Sequence, residues 1–391
     1  TMSTQIGVMF PREQDPANLM QAARRAEELG FDQFWIVEDC DIYYGNSNSV
    51  AAGGGVNGDQ IHDAIIRRKI TLDQASAQVE QITNAPHPYK FNTAIAGWSF
   101  LAAGVVLQLG GAPLAAALSF VSVFATMWIN RLMSKAGLPA FFQQFIGGFI
   151  AGVTALAAYR VFENTAVDVR PSQVVAAGII VLLAGLTLVG AIEDAITGYP
   201  VTSAGRVVET TMLTGGIVGG IATAIAFFAR FGIEAPPINP TFYGGNPFIV
   251  VLLAAGVGAA GFSLASYATP KAIVLAGVVG MVSITVYTLC TSNDLGAIVG
   301  SGAAATTAGL IGGIFARWVG LPHMIVTVAG VAPLLPGLSL YRGLSGLLSD
   351  NSSAALGQLS QAGGIAVALA AGVVFGEWLT RVMRRTQAAD L

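Results

Sequence analysis

The chain has 391 residues, 54% of them hydrophobic and only 10% charged, with a formal net charge of −3. Soluble domains carry about 25% charged residues, so an ordinary water-soluble enzyme is excluded, as are a disordered chain and, without a Gly-X-Y period among its 48 glycines, a collagen. No basic excess argues for nucleic acid, and two cysteines, Cys40 and Cys290, make no disulfide framework.

Charge divides the chain in two. Residues 1–90 hold 19 of the 41 charged side chains and residues 91–391 hold the other 22. The first part has water-soluble character; the second reads as a membrane domain. The opening TMSTQIGVMFPREQD contains no apolar run of the kind a secretory signal needs. Within residues 1–42, Ile6–Phe10 reads as a strand, Ala17–Leu29 as an amphipathic helix ended by Gly30, and Phe34–Glu38 as a second strand. Residues 43–60 form a Gly/Asn/Ser linker. In the segment 61–90, Ile61–Lys69 and Leu72–Ile82 read as short amphipathic helices, with Thr71 and Gln74 in capping-box spacing. Their apolar stripe fits docking on the membrane domain or the lipid surface.

A helix needs about 20 apolar residues to cross a bilayer. Nine charge-free runs, the first divided at Leu109-Gly110-Gly111-Ala112-Pro113, predict ten spans: 91–110, 113–131, 139–159, 173–193, 207–229, 247–267, 271–290, 295–316, 322–341 and 361–380. With both termini inside, the inner side carries Arg131, Lys135, Arg206, Lys271, Arg317, Arg381, Arg384 and Arg385. The outer side carries only Arg160, Arg170, Arg230 and Arg342. This asymmetry predicts cytoplasmic termini.

The two halves of the membrane domain, 91–231 and 247–385, resemble each other. At an offset of 157, Ala102-Ala103-Gly104 meets Ala259-Ala260-Gly261 and Pro113 meets Pro270. At an offset of 152, GIIVLLAGLTL from Gly178 aligns with GVAPLLPGLSL from Gly330, with six of eleven positions identical. At 148, Gly215-Gly216-Ile217 meets Gly363-Gly364-Ile365. A unit of five spans is odd, so two fused copies must sit in the membrane with opposite orientation. The expected fold is therefore an all-α membrane protein of ten transmembrane helices in two inverted five-helix repeats, an architecture of secondary transporters.

Charges at span ends are the functional candidates, because burying them in lipid is unfavourable. Glu193 and Asp194 end the fourth span, and Arg206 and Glu209 begin the fifth, where Arg206, Thr210 and Thr214 follow at i, i+4 spacing on one face. The alternative is an inner-surface loop with solvated or paired charges. In the ninth span, Pro333 and Pro336 should break the helix and free the carbonyls of Ala329 and Ala332. Gly330 and Gly337 flank that break, and Gly178 and Gly185 mark its repeat partner. Broken helices hold substrates through helix ends and exposed carbonyls; a packing kink is the alternative. Asn293 and Asp294 between spans seven and eight could bind a proton or an ammonium group, or serve as ordinary capping residues. His323 and the two other histidines have no ligand spacing, so no metal site is expected, and no Walker motif, nucleophile elbow or HExxH occurs.

Three separated stretches, RRKITLDQASAQVEQITNAPHPYKFNTAIAGWSFLAAG (67–104), AIEDAITGYPVTSAGRVVETTMLTGGIVGGIA (191–222) and VAPLLPGLSLYRG (331–343), resemble the ThrE family of threonine/serine exporters. The resemblance spans about residues 60–391. It implies a ten-span exporter of small hydroxy amino acids in the bacterial inner membrane, driven by the membrane potential and proton gradient. Its partners would be an amino-acid substrate, protons and the lipid bilayer, with no cofactor and with oligomeric state left open. Relatives are associated with export of dicarboxylates such as succinate, which stands as the alternative substrate class. A membrane-embedded enzyme using Glu193, Asp194 and Arg206 ranks below both. Residues 1–42 instead resemble the opening of a luciferase-like monooxygenase, but a (β/α)8 barrel takes about 250 residues, so no barrel and no flavin site can form from this piece.

Overall fold

The computed structural model describes residues 7–10, 33–36, 89–162, 171–182, 184–232, 246–318, 323–348 and 352–389. The chain divides into two compact units, Thr1–Pro88 and Tyr89–Leu391. In the first, strands β1 (Gly7–Phe10) and β2 (Gln33–Ile36) pair in parallel, with Gly7 opposite Gln33 and Phe10 opposite Ile36. The two expected strands are thus present, the second shifted one residue toward the N-terminus and shorter. The expected helix at 17–29, the linker and the two amphipathic helices lie outside the described residues.

All described elements of the second unit are helical. In chain order they are α1 (Phe91–Gln108), α2 (Pro113–Lys135), α3 (Ala140–Phe162), α4 (Pro171–Val181), α5 (Ala184–Thr197) and α6 (Pro200–Ala229). Then follow α7 (Phe248–Ala265), α8 (Pro270–Ser292), α9 (Gly296–Trp318), α10 (His323–Val331), a 3-10 turn (Ala332–Leu334), α11 (Gly337–Leu348) and α12 (Ser352–Ala389). Proline at the first turn of α2, α6 and α8 starts these helices where its missing N–H has no intrahelical role.

Among the described residues, eight helices are long and apolar enough to cross a membrane, and a ninth if α4 and α5, bent by 44° at their junction, count as one. Two of the ten expected spans are discontinuous, the ninth as its two prolines predict. The fourth is broken after Val181, and the ninth is divided into α10, the turn and α11, none of which is long enough alone. The fifth helix starts at Pro200 rather than 207, so Arg206 and Glu209 lie inside it. Arg342, expected in an outer loop, lies inside α11.

Burial is inverted relative to a soluble protein. Val121, Val274, Leu289, Phe375 and Trp378 are exposed, while the core is rich in alanine. This is how helices pack in lipid, where small residues let backbones approach and large ones face the acyl chains. A Cβ at Gly97 would lie 2.5 Å from the Gly261 carbonyl oxygen, and one at Gly104 would lie 2.6 Å from that of Ala254. As residue numbers rise along α1 they fall along α7, so these helices run antiparallel. On α3 and α6 they rise together: Gly216 lies against Phe141, Gly220 against Phe145 and Phe149, and Gly152 against Ala224. The same holds for α9 and α12, where Gly302 faces Ala368 and Gly313 faces Thr380. Each of these pairs is parallel.

These contacts make a direct test. Gly220→Ala drives its Cβ into the Phe145 backbone and should lower stability by about 1–3 kcal/mol, the usual effect of overpacking. Gly215, with nothing within 4 Å of an added Cβ, should accept alanine with no loss. Thermal unfolding of the detergent-solubilised protein separates the two outcomes.

Candidate functional site

The strongest grouping of charge lies where α5 turns into α6. The chain leaves α5 through Gly198, whose φ of 99° suits glycine alone. The N–H of Tyr199 then bonds back to the Asp194 carbonyl at 2.7 Å, and Pro200 opens α6. This tight turn lays the first turns of α6 against the end of α5. Arg206 Nη1 consequently reaches Asp194 Oδ2 at 3.2 Å, both side chains being about a quarter exposed or less, at 26% and 21%. The same nitrogen sits 3.0 Å from where a Gly190 Cβ would be, so the absence of a side chain at Gly190 makes room for the guanidinium.

Thr210 and Thr214 continue inward from Arg206 on the expected face and are buried. Their hydroxyls donate to the carbonyls of Arg206 and Thr210, each at 2.7 Å, leaving their oxygens as acceptors. Glu209 lies on the exposed side of α6, off that face. Glu193 is half-buried, and the charges acting on it are those of Glu377, Asp194 and Arg206. Glu377, on α12 and 9% exposed, is a carboxylate the sequence reading missed. Its signal was available, since an acid inside a span is a functional candidate by default, but it sits just past a charge-free run. Three carboxylates and one guanidinium from α5, α6 and α12 thus gather at one end of the bundle.

The second candidate, the broken ninth span, has the expected break. Helix α10 ends at Val331, and α11 begins at Gly337, directly after Pro336. The Ala332 carbonyl is not left free, however, because the Leu335 N–H bonds to it at 3.3 Å. The stretch that the sequence aligns with it, Gly178–Gly185, also breaks, between Val181 and Ala184, without a proline. At this break the Leu182 carbonyl accepts from Gln144 Nε2 of α3 at 3.4 Å. Gln144 is fully buried, and sequence reasoning passed over it as part of an apolar span.

Asn293 and Asp294 are exposed and belong to the C-terminal cap of α8. Asn293 Nδ2 donates to the Leu289 carbonyl at 2.8 Å, and Asp294 takes a φ of 59° in the left-handed region. The helix directions put this cap at the end of the bundle opposite Asp194, so the structure does not bring these residues to the charged cluster. Among the described residues no group of three or more His, Cys, Asp or Glu could hold a metal ion.

A multi-pass helical membrane protein with two broken helices and a charge cluster between helix ends is the class these features define. Residues 57–228 match the family described as "Putative threonine/serine exporter", and residues 251–379 match "Threonine/Serine exporter, ThrE". The chain belongs to the ThrE family. It is 36% identical over 311 residues to the "Threonine/serine exporter" of Corynebacterium glutamicum, covering 78% of this chain and 63% of that protein. It is 32% identical over 333 residues to the "Probable threonine/serine exporter" of Mycobacterium tuberculosis, covering 83% and 62%. The chain therefore spans less than two thirds of the length of either relative. No solved structure matches.

The Asp194–Arg206 contact should be energetic as well as geometric. A double-mutant cycle of Asp194→Asn and Arg206→Gln, read by thermal unfolding in detergent, should give a coupling of about 0.5–3 kcal/mol, the range for residues in contact. A coupling near zero would mean that the two charges act independently.

Proposed function

We propose that this chain is a secondary active exporter of small hydroxy amino acids, threonine and serine, working by proton-coupled antiport with alternating access. The names of its relatives, threonine/serine exporters, support the substrate class. The observation that carries the transport reading is the way contacts exchange between halves. Adding 157 to Gly97 and Gly104 gives Ala254 and Gly261. The contact of Gly97 with Gly261 therefore maps onto that of Ala254 with Gly104 when the halves are swapped, and both contacts are made. That is the pattern of a two-fold axis between antiparallel helices, and it supports two inverted repeats.

The directions of the other helices support ten crossings despite the two breaks. Because α3 and α6 run parallel, the chain must return across the bundle between them, and only α4 with α5 is available to do so. The parallel pair α9 and α12 makes the same demand of α10, the turn and α11. Elements at equivalent positions also share neighbours: α4 packs on α1, α2 and α3, and α10 on α7, α8 and α9. Each half then carries one broken crossing, the arrangement that places a site near mid-membrane and exposes it to each side in turn.

In this reading Asp194 is the coupling carboxylate and Arg206 its partner. A cation beside a carboxylate favours the charged form, while an apolar surround favours the neutral one. Withdrawal of the guanidinium lets Asp194 take up a proton, and its return releases it. Glu193 stands beside this pair with Glu377 near it, and Thr210 and Thr214 offer acceptors to a substrate ammonium. The Lys and Arg asymmetry supports cytoplasmic termini in a bacterial cell membrane.

Asp194→Asn removes the proton site but keeps the shape. Reconstituted in proteoliposomes, it should lose threonine accumulation driven by a pH gradient while retaining threonine-for-threonine counterflow. Wild-type accumulation in this variant would reduce Asp194 to a surface charge. Counterflow of labelled threonine, serine and succinate by the unaltered chain tests the substrate class itself.

A further inference from the structure

We propose that Arg342, on the second broken crossing, is the residue that binds the carboxylate of the transported solute, leaving Arg206 to its partner Asp194. This rests on the transport reading above and adds the group that recognises the substrate.

The case begins with the repeat. The offset of 152 that aligns the fourth and ninth crossings places Arg342 at the position of Gly190, Ser345 at that of Glu193, and Gly346 at that of Asp194. In the first half, the space over Gly190 is filled by the Arg206 guanidinium reaching across from α6. In the second half the cation grows from the broken helix itself, and the offset of 148 that aligns the fifth and tenth spans puts Ala354 at the counterpart of Arg206. Both halves thus bring one guanidinium to the same element, but only the first supplies an acid one turn away.

The surroundings of Arg342 follow from this difference. It is half-buried on α11, which packs against α12 and also against α4, α5 and α6 of the other half. Its Nε and Nη2 are buried from solvent and have no hydrogen-bond partner among the described residues. An arginine kept for packing or stability is normally paired, as Arg206 is. A buried guanidinium without an anion is unfavourable, and such a residue is retained where a ligand completes it. Nε and a terminal nitrogen together present the two parallel N–H groups that match a carboxylate.

The ligand chemistry is therefore a carboxylate on a small solute, whether of an amino acid or a dicarboxylate. The site stands at the junction of the two halves, on the segment that follows Pro333 and Pro336. Movement of one half against the other would open or close it.

The test uses the full chain purified in detergent, with labelled threonine and the competitors threonine, threoninol (the same molecule without its carboxylate) and succinate. In the wild type, threonine should compete about ten- to a hundredfold better than threoninol, the scale of a charge-assisted hydrogen bond. Arg342→Gln should erase that ratio, Arg342→Lys should keep part of it, and Arg206→Gln should leave it in place. Arg342→Gln should also raise the thermal stability of the unliganded protein, because an uncompensated charge is removed; an arginine with a structural role would lower it. A threonine-to-threoninol ratio unchanged in Arg342→Gln overturns the proposal, as does a loss of unliganded stability in that variant. If binding follows succinate but not threonine, with the same dependence on Arg342, the carboxylate site stands and the hydroxy amino acid reading falls. If the wild type binds no carboxylate while counterflow of threonine proceeds, the exporter reading stands and this assignment falls.

Discussion

The helices of the membrane unit meet backbone to backbone. At Gly97, Gly148, Gly220 and Gly376 even a methyl group would strike the main chain of a neighbouring helix. In lipid there is no hydrophobic gain from bringing helices together, so association depends on such close van der Waals contact. The spacing also fixes the directions of the helices, since each contact forms only in one register. The antiparallel course of α1 and α7 and the parallel courses of α3 with α6 and of α9 with α12 follow from those registers. Small residues consequently dominate the core, and the polar side chains there include hydroxyls bonded within their own helix, such as Thr126 to the Ser122 carbonyl and Thr214 to that of Thr210.

Absence of water governs the breaks. A carbonyl freed in the middle of a bilayer must find a donor within the protein. The first half solves this with Gln144, whose amide reaches Leu182. The second half uses the short 3-10 turn, in which Leu335 bonds to Ala332. Two different donors thus serve the two breaks, a side-chain amide in one and a backbone N–H in the other.

Much of this was legible in the sequence. Runs without charge located most of the membrane-length helices to within a few residues, because apolar length is a hard requirement of the bilayer, although α6 and α12 begin seven and nine residues before their expected spans. Two prolines three residues apart marked the ninth crossing as discontinuous. The fourth showed only glycines and a similarity to the ninth, so its discontinuity was suggested rather than written. Asp194 and Arg206 stood out as charges at span ends, and their contact depends on the Gly198 turn and the empty side of Gly190, both of which are local. Three residues escaped for a common reason. Gln144 is uncharged, Glu377 lies one residue beyond an apolar run, and Arg342 lies just past the expected end of a span, so counting charges by run assigned each to background. Asn293 and Asp294 take the capping role that the sequence also offered for them, since capping chemistry and site chemistry use the same residue types.

The antiparallel contact between α1 and α7 also bears on how the protein is made. Gly97 and Gly104 face partners that lie about 150 residues later in the chain. At a synthesis rate of about 5–20 residues per second, the first helix waits on the order of 10–30 seconds in the membrane before its partner exists. During that interval its narrow glycine face is open to lipid or to any other helix with a matching groove. The contact of α1 with α7 therefore cannot form until the second half of the chain has entered the bilayer.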